Sequence, residues 1–210
     1  MQFPKLTHAV GAAAIASLAL SGTAFAQNPE PNVVSPQHTN FTFKMVPTGG
    51  GEPCIPGATG LVTITHTPQL VETMHVDVKG LPPNTDFDLF VIQVPAFPFG
   101  LSWYMGDMLT DSTGEAVGDF IGRFNIGTFI VAPGVASAPV VLTGDASSNP
   151  KTAPVQLYHL GLWFDSPAAA GKAGCATTVT PFNSTHNAGV QILNTSTFPD
   201  LAGPLFNVQR

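Results

Sequence analysis

The chain has 210 residues, 13 acidic against 7 basic side chains, a formal net charge of −6 and 44% hydrophobic residues. That balance excludes the basic footprint of a nucleic-acid-binding protein. The acids stand singly, which excludes an acidic tail, and the few basic residues form no polybasic membrane patch. The length fits one large domain, and 21 Gly with 20 Pro favour short strands divided by turns over long helices.

Residues 1–26 read as a secretory signal peptide. Lys5 supplies the positive start, 9–20 the apolar stretch, and Ala24-Phe25-Ala26 a small-x-small cleavage site. The apolar run is short for a membrane span and is interrupted by Ser17, Ser21 and Gly22. No Cys follows the cleavage site to carry a lipid. The expected mature chain begins at Gln27, is secreted without an integral membrane anchor, and forms one domain over 27–210.

Residues 40–46 are the first strand candidate, with Phe41, Phe43 and Met45 on one face; Gly49-Gly50-Gly51 ends it. Residues 61–66 are the second, with Val62 and Ile64 inward. Glu72–Lys79 has the clearest alternation. Met74, Val76 and Val78 face one way, and Thr73, His75, Asp77 and Lys79 the other, as in a strand with one wet face. Gly80-Leu81-Pro82-Pro83-Asn84-Thr85 is a turn: Gly permits positive φ and the prolines end the ladder. Residues 87–94 follow as an apolar central strand. Residues 116–124 alternate around Phe120, Gly122 and Phe124, and 128–132, 139–142, 155–164 and 189–193 complete the strands. The Ala-rich stretch 166–174 fits a single helical turn. No sustained 3.6-residue period exists in 27–210, so the expected fold is all-β, an antiparallel β-sandwich with long loops.

In an exported chain, Cys54 and Cys175 are most simply a disulfide; two free thiols or metal ligands are the other readings. The bond requires Cα atoms within about 7 Å.

The run from Val76 through Val91, Val-Asp-Val-Lys-Gly-Leu-Pro-Pro-Asn-Thr-Asp-Phe-Asp-Leu-Phe-Val, resembles the strand–turn–strand of fibronectin type III and related immunoglobulin-like domains. In that family the run crosses from one sheet to the other. The resemblance covers about 16 residues and implies a β-sandwich, with no activity attached. The family's corner tyrosine is Phe87 here, so the hydroxyl-to-backbone bond of that corner is lost. The same turn is similar to one in copper–zinc superoxide dismutases, but the following Asp86-Phe87-Asp88-Leu89-Phe90 holds no His, so that family's metal chemistry is not implied.

Beyond the leader the histidines are His38, His66, His75, His159 and His186. No H-x-x-x-H or C-x-x-C spacing joins them into a metal site, and no cofactor is expected. His159 lies in the apolar run Leu157-Tyr158-His159-Leu160-Gly161-Leu162-Trp163-Phe164, where a buried imidazole needs a partner. There is no G-x-S-x-G elbow, P-loop or G-x-G-x-x-G. Asn40, Asn183 and Asn194 fit the N-glycosylation pattern. Residues 94–108 are dense in aromatic residues, Met and Pro. They read either as a contact loop through Phe97, Phe99, Trp103 and Tyr104, or as a loop covering the open end of the sandwich. Gly100 and Gly106 bracket Trp103, which is expected to fold back over the core. The function these features favour is non-enzymatic: a secreted binding or structural module for an extracellular protein or glycan. The alternative is an extracellular hydrolase or metal-dependent enzyme on the same scaffold, which a convergence of His and acidic side chains would mark.

Overall fold

The computed structural model describes residues 40–51, 53–67, 71–131, 154–181 and 187–209. In chain order the strands are β1 (Phe41–Pro47), β2 (Thr59–His66), β3 (Glu72–Lys79), β4 (Asp86–Ile92), β5 (Ser102–Leu109), β6 (Ala116–Gly122), β7 (Phe129–Ile130), β8 (Val155–Gln156), β9 (His159–Phe164), β10 (Thr180–Pro181), β11 (Asn187–Ala188) and β12 (Gln191–Asn194). One helix, α1 (Pro167–Lys172), follows β9, and two 3-10 turns, Asp200–Ala202 and Pro204–Asn207, follow β12. No helix among the described residues is long and apolar enough to cross a membrane. The signal-peptide segment, His38, His186, Asn183 and the 139–142 strand candidate lie outside the described residues.

The main sheet has the order β5-β4-β9-β12-β1-β2-β3-β6, and every pairing in it is antiparallel. β1 is its hinge. Phe41 to Met45 pair with β2, while Val46 and Pro47 pair with β12. The sheet curls until its two edges nearly meet. A Cβ built on Gly106 of β5 would lie 3.1 Å from the Phe120 ring of β6, so the missing side chain makes room for that ring. The inward residues of both halves form one core, with Val62, Ile64, Met74 and Val76 from one side and Leu89, Leu160 and Leu162 from the other. The period-2 patterning of β2 and β3 is what directs these residues inward.

The turn after β3 follows its chemistry. Gly80 has φ of +71°, and a Cβ there would sit 2.3 Å from the Gly57 carbonyl oxygen, so both conformation and space require glycine. Ser166 caps α1, its hydroxyl accepting from the Ala169 N–H, and Pro167 occupies the first turn, where no N–H partner is needed. Cys54 and Cys175 form a disulfide with Cα atoms 5.1 Å apart. It ties the loop between β1 and β2 to the segment leaving α1.

Three expectations need correction. Residues 94–108 are not one connection, because Ser102–Leu109 forms edge strand β5. Trp103 does not fold over the core: it is 55% exposed on that strand. The 155–164 stretch is two strands, since Val155–Gln156 pairs with Phe129–Ile130 and only His159–Phe164 enters the main sheet.

Among the buried polar residues, Glu72 and His159 carry titratable groups into the interior. Glu72 is fully buried at the start of β3, accepting from the Phe124 N–H and the Asn125 side-chain amide, each at 2.8 Å, with the His66 ring 3.4 Å away. His159 is also fully buried. Its Nε2 faces the carbonyl oxygens of Pro199 and Asp200, which only accept, so Nε2 carries the proton; Nδ1 accepts from the Thr195 hydroxyl at 2.9 Å. Burial pushes the imidazole below its ordinary value of 6.5, and the carbonyl contacts only partly offset this. The unfolded chain therefore takes up a proton first as the pH falls. Stability from the neutral ring is present above 6.5 and is lost as the pH drops through the lower folded-state value. Denaturation midpoints measured between about pH 7 and pH 5 should fall, and His159→Gln should flatten that slope. An unchanged slope in the variant would rule out His159 as its source.

Candidate functional site

A cavity of about 700 Å³ opens where the end of β1, the turn before β5, β10 and β12 meet. Its volume lies within the range of about 300–1,000 Å³ usual for ligand pockets. The rim is the turn carrying Phe97 and Phe99, which joins β4 to β5. Phe97 is 85% exposed. The Phe97–Pro98 peptide bond is cis, and Phe99 takes φ of +61°, a conformation a bulky side chain rarely adopts. Backbone bonds hold it there: Phe99 N–H donates to Ala96, Gly100 N–H to Pro98, and Val94 N–H to Phe99, at 2.7–3.0 Å. Gly100, also at positive φ, lies over the Gln93 side chain, whose oxygen would be 2.1 Å from a Cβ placed there. A strained turn over-determined by its neighbours is a common feature of ligand clamps.

The floor comes from β9 and β12. Trp163 is 1% exposed and lies opposite Gln191 across the ladder. Gly161, two residues earlier on the same face, leaves the space that the indole and the Gln191 amide fill: a Cβ there would meet the Trp163 ring at 2.4 Å and Gln191 Nε2 at 2.6 Å. The aromatic rings run edge to face from floor to rim. Phe90 meets Trp163 at 5.5 Å, Trp163 meets Phe99 at 5.1 Å, and Phe99 meets Phe97 at 5.9 Å, all near 80–90°.

The polar groups of the wall are neutral. Asn194 donates from Nδ2 to the Pro95 carbonyl at 2.8 Å and to Gln191 Oε1 at 3.2 Å, and its Oδ1 accepts from the Ser196 N–H at 3.0 Å. These bonds fix both amides, so Gln191 Nε2 points away from them, buried and with no hydrogen-bond partner among the described residues. Thr48 donates to the Gln191 carbonyl and Thr180 to that of Gly189. Ser102, Thr178 and Ser196 add hydroxyls. Among the described residues the wall holds no Asp, Glu, His, Cys, Tyr, Lys or Arg. Asn194, 4% exposed with its side chain bonded on both sides, is not open to glycosylation in the folded chain.

Of the four aromatic residues of the contact-loop reading, Phe97 and Phe99 face this cavity. Trp103 faces another, of about 550 Å³, between edges β5 and β6 beside Met105, Ile121, Phe124 and Phe129. Tyr104 points elsewhere, donating its hydroxyl to Asp107 and packing on Phe90. Burial first, and then Asp107, hold its proton far above the ordinary phenol range. The three described histidines do not converge. His75 pairs with Asp119, His66 approaches Glu72 and His159 bonds Thr195, and no group of three or more His, Cys, Asp or Glu among the described residues could hold a metal. Sequence reasoning missed Trp163, Gln191 and Asn194. The one signal was two amide side chains inside the apolar stretch 190–194, which a buried strand tolerates only when they are bonded.

Comparison with protein-family models gives no match, and comparison with curated protein sequences gives none.

Proposed function

We propose that the chain is an exported, non-enzymatic binding protein on an immunoglobulin- or fibronectin-type β-sandwich, and that the cavity behind Phe97 is its ligand site. One observation carries this reading: the described wall of the cavity contains no titratable side chain. General acid–base and nucleophilic catalysis need a group that gains, loses or shares a proton near the reacting atoms. The described wall, of aromatic rings, amides and hydroxyls, can hold a molecule, and among the described residues its hydroxyls have no adjacent general base to activate them. Export is supported by the disulfide, which persists in oxidising compartments, and by the tripartite character of residues 1–26. The sandwich assignment is supported by the 80–85 turn, which carries the chain from β3 in one half of the sheet to β4 in the other, as the fibronectin-type run does.

The test uses the oxidised, exported chain, whose first residue should be Gln27 or one close to it. Incubated with chromogenic esters, glycosides, phosphate esters and peptides, it should release no product above the blank. Saturable turnover of any of them would move the reading to the extracellular hydrolase.

A further inference from the structure

We infer that the cavity takes an uncharged carbohydrate, with a sugar ring laid against Phe97 and its hydroxyls bonded to the side chains of the wall; this rests on the binding reading above. The absence of charge from the described wall disfavours phosphates, acidic sugars and charged peptide segments. Each would lose its hydration without an ionic partner to replace it. What the wall does offer is both donor and acceptor capacity. Ser102, Thr178 and Ser196 line the cavity with hydroxyls, and each can donate or accept. A polyol has that same dual character at every ring carbon, whereas an apolar peptide side chain would leave these groups unpaired.

The rings supply the other half of recognition. A sugar ring has a C–H face that stacks on an aromatic ring, and Phe97 presents such a ring almost wholly to solvent. No folding requirement accounts for an exposed phenyl ring on a turn that holds its neighbour at φ of +61°. The one ring contact of Phe97 among the described residues is edge to face with Phe99, which in turn packs on Trp163, so the exposed ring stands at the end of an aromatic row. Deeper in, the buried Gln191 Nε2 is a donor with no partner among the described residues. A buried amide hydrogen without an acceptor is costly. Gln191 lines the cavity, so a ligand hydroxyl that displaced the packing over this amide would supply the acceptor.

The experiment presents the oxidised full chain to an array of uncharged oligosaccharides built from glucose, mannose, galactose and N-acetylglucosamine. Acidic oligosaccharides and neutral Leu- and Pro-rich peptides serve as comparison, and hits are followed by calorimetry. At least one neutral oligosaccharide should bind saturably. Its affinity should hold between roughly 0.05 and 0.5 M NaCl, since no ion pair is involved. Phe97→Ala should weaken it about tenfold or more, while Trp103→Ala, outside the cavity, should leave it unchanged. Gln191→Leu should also weaken it, in protein whose thermal midpoint shows that it folds. No binding by any neutral oligosaccharide overturns the inference, and so does binding that Phe97→Ala leaves intact. If only peptides bind, and Phe97→Ala abolishes that, the ligand class fails and the binding reading survives. If an oligosaccharide is cleaved, the binding reading fails with it.

Discussion

Replacing both cysteines, Cys54→Ser with Cys175→Ser, should lower stability by about 4–5 kcal/mol. The bond closes a loop of 121 residues, and the entropy removed from the unfolded chain grows with the logarithm of loop length. The ring includes β2 to β9 and α1, so most of the sheet lies inside one covalent closure. The measurement is a denaturant midpoint for the oxidised chain and the double variant at one pH. A difference under about 1 kcal/mol would mean that the unfolded chain is already compact near these residues, or that the folded one relaxes when the bond is cut.

Glu72→Ala should cost about 2–4 kcal/mol. The carboxylate answers two buried donors, the Phe124 N–H and the Asn125 amide. Without it both remain in the interior with no acceptor and little access for water, and an unsatisfied buried donor costs about 1–3 kcal/mol. Glu72→Gln keeps one oxygen acceptor and should fall between the two. The check is the same midpoint, with amide exchange at Phe124 as the local readout: its N–H should lose protection in Glu72→Ala. Wild-type protection in the alanine variant would show that another group takes the bond.

The disulfide and Glu72 mark what the sequence shows and what it conceals. The cysteine pair follows from the expected compartment and the count, without geometry. The place of Glu72 is written in the alternation of β3. It stands two residues before Met74 on the inward face, and that register alone buries it. β3 is legible because one face is wet and the other dry, so each residue type reports its side. β5 is not. Gly106 pairs with Leu89 and Tyr104 with Phe90, leaving Met105 as an extra residue in the ladder. Trp103 and Tyr104 are both exposed because β5 is an edge strand, and the bulge beyond them breaks the period of two along the rest of the strand. With Pro95 and Pro98 just ahead, the segment reads as a loop. The cavity is hidden for a different reason. Its wall is drawn from 47–50, 96–102, 163, 178–181 and 190–196, and nothing in one stretch encodes its distance from the others.

β12 sits at the middle of the sheet, between β9 and β1, although it is the last strand of the described chain. Until Gln191–Asn194 arrive, β9 and β1 each present an open row of backbone donors and acceptors, and the two halves have no ladder to join them. Folding therefore waits on pairings between residues some 150 positions apart, such as Val46 with Asn194, and such non-local closure is slow. A chain threaded through a membrane from its N-terminus would spend that interval with two unpaired strands exposed, the condition under which β-proteins pair with one another instead.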